Sequence, residues 1–247
     1  MINRLIFTTL LTVILGAAWL APAIAQDQAP AIAPDQQPPS EPVYKPPPRG
    51  APGGRVGGAS RGTIKATVPL PTIQLLAPDQ NAGLTMSAEP TLYFFVSGPV
   101  SWRTQFTVSA PNVPQPIGEV DIPAPGGAGI YSVHTADYHV RLEPGVLYTW
   151  SISIILNPKS RSRDIVASAT LLRTAPEPVL ETALHAAPAK RRAALLAQAG
   201  IWYDAVTAAA ETEASDRHAA LDALMNEVGL VEPARYDRQA AGNVRSR

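Results

Sequence analysis

Between residues 72 and 174, apolar and polar side chains alternate with the two-residue period of a β-strand that has one buried face. The alternation is clearest in the runs 102–108, 138–142 and 148–156. Clusters of proline, glycine, asparagine and aspartate separate these runs, as the turns between antiparallel strands require. About seven or eight short strands at this spacing predict a mainly β fold, an antiparallel β-sandwich of the immunoglobulin or fibronectin type III kind.

One predicted strand begins with a motif that is typical of such sandwiches. Tyr148 follows the turn Glu143-Pro144-Gly145, and this order resembles the tyrosine corner, in which a tyrosine hydroxyl bonds to the backbone of the preceding turn. Trp150 lies two residues further along the same strand face. We therefore expect Tyr148 and Trp150 to have structural roles.

Beyond Thr174 the apolar residues recur with the period of an α-helix. A first apolar face comprises Leu195, Ala199, Trp202 and Val206, and a second comprises Leu221, Leu224, Met225 and Val228. The spacing predicts an antiparallel helical pair joined by a short polar connection. Two helices cannot bury both faces between themselves, so we expect the pair to pack on the sandwich or, as the alternative, on a partner, with Trp202 as a structural residue.

The N-terminus has the three parts of a secretory signal peptide. Arg4 supplies the positive region, residues 5–20 form an uncharged apolar run, and Ala23-Ile24-Ala25 provides the small residues of a cleavage site. A membrane-spanning helix needs roughly 20 apolar residues, and this run is shorter. Cleavage after Ala25 predicts a periplasmic or secreted protein. The alternative is an uncleaved membrane anchor formed by residues 5–20.

The changes of composition and period divide the chain into segments. Residues 1–25 form the signal peptide, and residues 26–63 form a disordered linker rich in proline and glycine. Residues 64–175 form the β-sandwich, residues 176–232 form the helical pair, and residues 233–247 form a disordered tail.

The overall charge and the absence of cysteine exclude several classes of function. The chain has 20 basic and 20 acidic side chains, a formal net charge of zero that argues against nucleic acid as a partner. Basic residues are spread along the linker, so this segment is where we expect any contact with membrane lipids. Because the chain contains no cysteine, disulfides, thiolate metal sites and a cysteine nucleophile are excluded.

His134, Asp137 and His139 are the one sequence cluster of metal-ligating residue types. A metal site needs three or four such groups that converge on one point, whereas His134 and His139 point to opposite faces of an extended strand. The chain also lacks a G-x-S-x-G nucleophile motif, a phosphate-binding loop and a dinucleotide fingerprint. We therefore predict no catalytic residues, no metal and no cofactor, in a protein that is not an enzyme.

Trp202, Tyr203 and Asp204 follow one another on a predicted helix, where neighbouring side chains diverge by about 100°. One interpretation buries Trp202 and lets Tyr203 and Asp204 bridge to a neighbouring element, with Asp204 accepting a hydrogen bond. The other makes Tyr203 and Asp204 part of a partner-binding face, and these two are the candidate partner-binding residues.

Four stretches of the chain carry the motifs of a known family. They are the Arg/Gly-rich segment Pro48–Arg55 with Ser60-Arg61-Gly62, Gly83-Leu84-Thr85 with Pro90–Phe95, Leu142–Trp150 with Asn157-Pro158 and Ser160-Arg161-Ser162, and Gly200-Ile201-Trp202-Tyr203-Asp204-Ala205. In these stretches the chain resembles the bacterial domain of unknown function 928. The resemblance implies an exported protein found beside sensory and adhesin-secretion proteins, and it supplies no activity or site residues to transfer.

These observations together favour an exported, non-enzymatic module of the cell envelope that binds an envelope protein or an extracellular polymer. A structural accessory of a secretion or surface-adhesin system is the alternative. A hydrolase with an unrecognised site is less favoured, because the motifs of hydrolases are missing.

Overall fold

Two β-sheets form the body of the protein in the computed structural model, which describes residues 41–47, 56–57 and 70–245. In chain order the strands are β1 (Val56–Gly57), β2 (Ile73–Leu75), β3 (Gly83–Thr85), β4 (Thr91–Val96), β5 (Arg103–Ser109), β6 (Gly118–Ile122), β7 (Gly129–His134), β8 (Leu147–Ile155) and β9 (Ile165–Arg173). Sheet A has the order β1-β2-β4-β7, and sheet B has the order β3-β9-β8-β5-β6. The predicted signal peptide, residues 1–25, lies outside the described residues.

The strand pairings are antiparallel with one exception. Strand β3 runs parallel to β9, with Gly83 opposite Leu171 and Thr85 opposite Arg173. The architecture therefore combines a mixed sheet, an antiparallel sheet and helices, and the prediction of a purely antiparallel sandwich is wrong at this edge. A parallel pair needs a long connection, and β3 and β9 lie far enough apart in the sequence to supply it. The two-residue period identifies strands but does not give their direction.

Five α-helices follow the strands in the described part of the chain: α1 (Pro178–Ala186), α2 (Ala189–Gln198), α3 (Trp202–Ala210), α4 (Ala214–Glu227) and α5 (Val231–Arg245). The prediction of a single helical pair is therefore wrong in number. Two of the breaks fall beside Gly200 and Gly229, whose positive φ angles of 76° and 71° end a helix. None of the described helices is both long enough and apolar enough to cross a membrane.

The predicted disordered tail, residues 233–247, is helical as far as Arg245. Ala234 is buried, and the ring of Tyr236 packs against Phe95 of β4 with 5.5 Å between ring centroids. These few apolar contacts fix a helix whose sequence is otherwise polar. Composition alone therefore underestimates the order of this segment.

Part of the predicted disordered linker is also ordered. In residues 41–47, which we call the strap, Tyr44 is buried and meets the ring of Trp202 edge-on, with centroids 4.8 Å apart. The Lys45 amide donates a hydrogen bond of 3.0 Å to the carbonyl of Ala197. Proline already restricts the unfolded chain, so docking a proline-rich segment costs less conformational entropy. One aromatic anchor therefore holds the strap on the helices.

One hydrophobic core is shared by both sheets and the helices. It includes Phe94 of sheet A, Trp150 of sheet B and Trp202 of α3, each at most 2% exposed. The Trp202 indole donates a hydrogen bond of 2.8 Å to the carbonyl of Leu76, just beyond β2. Because the helices complete the core of the sheets, they are an integral part of the fold.

The turn before β8 is closed by Tyr148. Its hydroxyl accepts a hydrogen bond of 2.9 Å from the amide of Glu143, and Gly145 adopts a positive φ of 76°. The Arg173 guanidinium donates a bond of 2.9 Å to the carbonyl of Leu142. The connection from β7 in sheet A to β8 in sheet B is therefore fixed by the hydrogen bonds that Tyr148 and Arg173 form with this turn.

The buried Tyr203 side chain attaches α3 to sheet B. Its hydroxyl accepts a hydrogen bond of 2.8 Å from the Trp150 indole and donates one of 3.0 Å to the carbonyl of Thr170. A Cβ on Gly83 would lie 2.4 Å from the Tyr203 ring, so only glycine leaves room for this approach. Two stretches that carry the family resemblance, around Gly83 and around Tyr203, therefore meet in space.

We expect Gly83→Ala to lower the free energy of unfolding by about 2–3 kcal/mol, because the added methyl group overlaps the Tyr203 ring. The measurement is a double-mutant cycle with Tyr203→Leu, followed by denaturant unfolding. The smaller leucine side chain should remove most of the cost of the alanine. Additive losses would show that the two residues are not in contact.

Candidate functional site

Helices α3 to α5 lie against the outer face of sheet A. The Gln74 side chain donates a hydrogen bond of 3.1 Å to the carboxylate of Glu232, and the Tyr236 hydroxyl bonds to the carbonyl of Ala128. The contact of Tyr236 with Phe95 adds apolar burial at the same place. Among the described residues, two grooves that contain charged side chains lie between the helices and the sheet.

The two candidate partner-binding residues are engaged within the chain. Tyr203 is 1% exposed, so it has no free face to present to a partner. Asp204 Oδ2 accepts a hydrogen bond of 3.0 Å from the amide of Met86, in the loop after β3. This geometry agrees with the interpretation in which both side chains bridge α3 to a neighbouring element, and the partner-binding interpretation stays a prediction.

Burial raises the pKa of Asp204 above its ordinary range. Hydrogen bonds from the Thr85 side chain and from the amides of Met86 and Ser87 act in the opposite direction, but desolvation has the larger effect. The carboxyl group is thus held by the β3–β4 loop in an environment that disfavours its charge.

The first groove is acidic. It encloses about 230 Å³ and is lined by Ser87, Glu89, Pro90, Thr91, Tyr203, Asp204, Thr207, Ala208 and Glu211. Glu89 forms an ion pair of 3.3 Å with Arg141, and Asp204 accepts the bonds described above. The carboxylates of Glu89 and Asp204 therefore already have partners within the protein.

The predicted histidine cluster does not converge. His134 ends β7, where its Nδ1 lies 3.0 Å from the hydroxyl of Thr91, while Asp137 lies in the short 3₁₀ turn Thr135–Tyr138. His139 follows that turn with a positive φ of 56°. Across residues 41–47 and 70–245, no group of three or more histidine, aspartate or glutamate side chains is arranged to hold a metal ion.

The second groove, which we call the arginine groove, encloses about 280 Å³. Sheet A contributes Tyr93, Ile130, Tyr131 and Ser132, and the helices contribute Ala210, Arg217, Leu221 and Asp237. Thr91 and Tyr93 lie on the same face of β4, so the two grooves are neighbours along one strand. Burial raises the pKa of Tyr93, and the nearby Glu211 carboxylate raises it further, against a hydrogen bond with Thr207.

A hydrogen-bonded histidine–aspartate pair lies at the wall of the arginine groove. His218 Nδ1 and Asp237 Oδ2 are 2.8 Å apart, and they join α4 to α5. The Arg217 guanidinium lies 3.4 Å from His218 Nε2. A guanidinium can only donate hydrogen bonds, so His218 Nε2 accepts in this contact. The ring proton is then on Nδ1, which donates a hydrogen bond to Asp237.

Arg217 makes no ion pair with any carboxylate among the described residues. The Asp237 carboxylate is already bonded to His218, and Arg217 as a whole residue is only partly exposed to water. The groove therefore contains a cation whose charge has no partner within the described chain.

Sequence reasoning did not identify Arg217, His218 or Asp237. His218 and Asp237 are 19 residues apart, and they meet because α4 and α5 are neighbours. None of the three belongs to a motif, and the alternation of sheet A does not show which face the helices cover. The polar character of α5, predicted as a disordered tail, further concealed Asp237.

The fold and the grooves define a two-sheet protein whose helices pack against strands of both sheets. The chain belongs to the DUF928 family, since the model of that family, described as Domain of Unknown Function (DUF928), matches residues 56–236. This match confirms the resemblance seen in the sequence. No curated protein and no solved structure matches the chain.

The raised pKa of Asp204 makes stability depend on pH. Because the folded chain holds this proton more tightly than the unfolded chain, the free energy of unfolding falls as pH rises from the ordinary aspartate range through the raised pKa. We expect Asp204→Asn, which keeps an acceptor oxygen but does not titrate, to lack this decrease. Denaturant unfolding at a series of pH values measures it, with the exposed Asp137→Asn as control. Parallel pH profiles of wild type and Asp204→Asn would contradict the role of burial.

Proposed function

We propose that this protein is an exported, non-enzymatic binding module of the bacterial cell envelope, and that the arginine groove is its ligand site. The observation that carries the proposal is the partly buried Arg217, which lines a concave groove and has no ion pair among the described residues. A concave site with a few convergent polar groups and apolar walls is the usual form of a ligand pocket.

The shape of the groove favours a polymer as ligand over a folded protein partner. Its volume of about 280 Å³ is close to the lower end of small-molecule sites, which is roughly 300 Å³. A stable protein interface instead buries about 800 Å² on each partner and is usually flatter. A terminal or branching unit of an extracellular polymer fits a groove of this size.

Binding is also favoured over catalysis by the state of the groups around the groove. Both ring nitrogens of His218 are in contact with charged side chains, Arg217 on one side and Asp237 on the other. A histidine that acts as a general base needs a free nitrogen directed at a nucleophile or at a water molecule. The arrangement instead suits a rigid wall that holds the guanidinium in place.

We further propose that the two sheets have the immunoglobulin arrangement. Strands β2, β4 and β7 would correspond to strands A, B and E, and β3, β9, β8, β5 and β6 to strands A′, G, F, C and C′. The hydrogen bond of Tyr148 at the start of β8 supports this proposal, because a tyrosine corner lies at the start of strand F. Sandwiches of this kind commonly serve recognition.

Export rests on the N-terminal segment. We expect the mature chain to begin at Gln26, after Ala23-Ile24-Ala25, and to be released to the periplasm or the medium. Mass spectrometry of the protein from fractionated cells measures this. A membrane-bound chain of full precursor mass would instead support the anchor formed by residues 5–20.

The groove is tested with Ser132→Trp, since Ser132 is an exposed strand residue that lines it. A tryptophan at this position should fill the groove and abolish binding of an oligosaccharide series on a glycan array, with little effect on the melting temperature. Thr149→Trp, at an exposed position of β8 in the other sheet, is the matched control. Equal binding by wild type and Ser132→Trp would exclude the arginine groove as the site.

A further inference from the structure

The wall of the arginine groove carries one cation at a defined place. Arg217 lies on α4 and contacts His218 Nε2 at 3.4 Å, while the His218 imidazole is held on its other side by Asp237 at 2.8 Å. The side chain is therefore positioned by a neighbour that is itself fixed between two helices. Ordering the guanidinium in advance reduces the entropy lost when a ligand binds.

Arg217 is a partly buried residue with no ion pair among the described residues, so no counter-charge within them offsets its burial. Its planar fork of N–H donors matches the two oxygens of a carboxylate. Asp237, the one carboxylate among the residues that line this groove, is already bonded to His218. The positive charge of Arg217 is therefore available to pair with an anionic group of a ligand.

The other walls of the groove limit what that anionic ligand can be. Ile130 and Leu221 offer apolar surface, and Tyr93 adds an aromatic ring, which together suit the carbon face of a sugar ring. Ser132 supplies a hydroxyl for hydrogen bonds. The negative charge of Asp237 on the same wall disfavours a doubly charged phosphate more than a singly charged carboxylate.

We propose that the arginine groove binds a uronic acid unit of an acidic polysaccharide, with its carboxylate paired to Arg217 and its ring against Tyr93 and Leu221. This inference rests on the proposed function, since it names the ligand class of the same groove. His218 is a positioning residue, because it acts on the ligand through Arg217.

The experiment is isothermal titration of the full mature chain with three disaccharide probes: one that contains glucuronic acid, its neutral glucose counterpart, and the same glucose disaccharide with a 6-phosphate group. Wild type should bind the glucuronic acid disaccharide at least about tenfold more tightly than the neutral one, because one charge-assisted pair is added. Arg217→Gln should remove this preference. Arg217→Lys should restore it only in part, since an ammonium cannot form the paired bonds.

Arg235→Gln is the matched control, because Arg235 is an exposed arginine of α5 that does not line the groove. It should bind all three probes as wild type does. Equal affinity of wild type for the acidic and neutral disaccharides, or an unchanged preference in Arg217→Gln, would overturn the inference. Tighter binding of the sugar phosphate would overturn it in favour of a phosphate site.

The titration also separates this inference from the proposed function. If Ser132→Trp abolishes binding while Arg217→Gln has no effect, the groove is the site and the carboxylate is not what it recognises. If none of the probes binds wild type, both proposals fail for saccharides. Thermal melts of each variant show that a loss of binding is not a loss of fold.

Discussion

The hydrogen bond between the Trp150 indole and the Tyr203 hydroxyl is the contact on which the arrangement of sheets and helices depends. A buried indole N–H without an acceptor costs free energy, and Tyr203 both accepts this bond and donates a hydrogen bond to the carbonyl of Thr170. Burial raises the pKa of Tyr203, so the hydroxyl keeps the proton that it donates. The anchor demands a glycine at position 83, and it therefore couples two distant parts of the sequence.

The position of α3 determines the rest of the helical layer. Asp204 attaches the first turn of α3 to the loop after β3, and Trp202 bonds to the carbonyl of Leu76 on another side. Once α3 is fixed, α4 and α5 lie over the outer face of sheet A. The arginine groove is the space between these helices and the sheet. A groove formed by two packed layers keeps its shape better than one formed by loops, which suits recognition by a preorganised cation.

The strap shows how a proline-rich lead takes part in the fold. Gly200 has a positive φ of 76°, and a Cβ there would lie 2.8 Å from the carbonyl oxygen of Lys45. The same glycine thus ends α2 and leaves space for the strap, while Tyr44 packs on Trp202. Burial raises the pKa of Tyr44 to about 12, as expected for a phenol inside the core. The match to the DUF928 family begins at residue 56, so the strap lies outside the matched residues, whereas Gly200 and Trp202 lie within them.

The sequence by itself determined most local features of this protein: most of the strands through their two-residue period, the turn at Tyr148, the burial of Trp202 and the family. These follow from neighbours in the chain, where side-chain spacing reports directly on local geometry. The alternating run 138–142 is an exception, because it begins at the end of the 3₁₀ turn Thr135–Tyr138 and continues as a loop rather than a strand. Only the tertiary structure decided the parallel pairing of β3, the number of helices and the inward direction of Tyr203. It also brought Arg217, His218 and Asp237 together. Such features depend on contacts between residues far apart in the sequence, and spacing along a chain carries no information about which distant faces will meet.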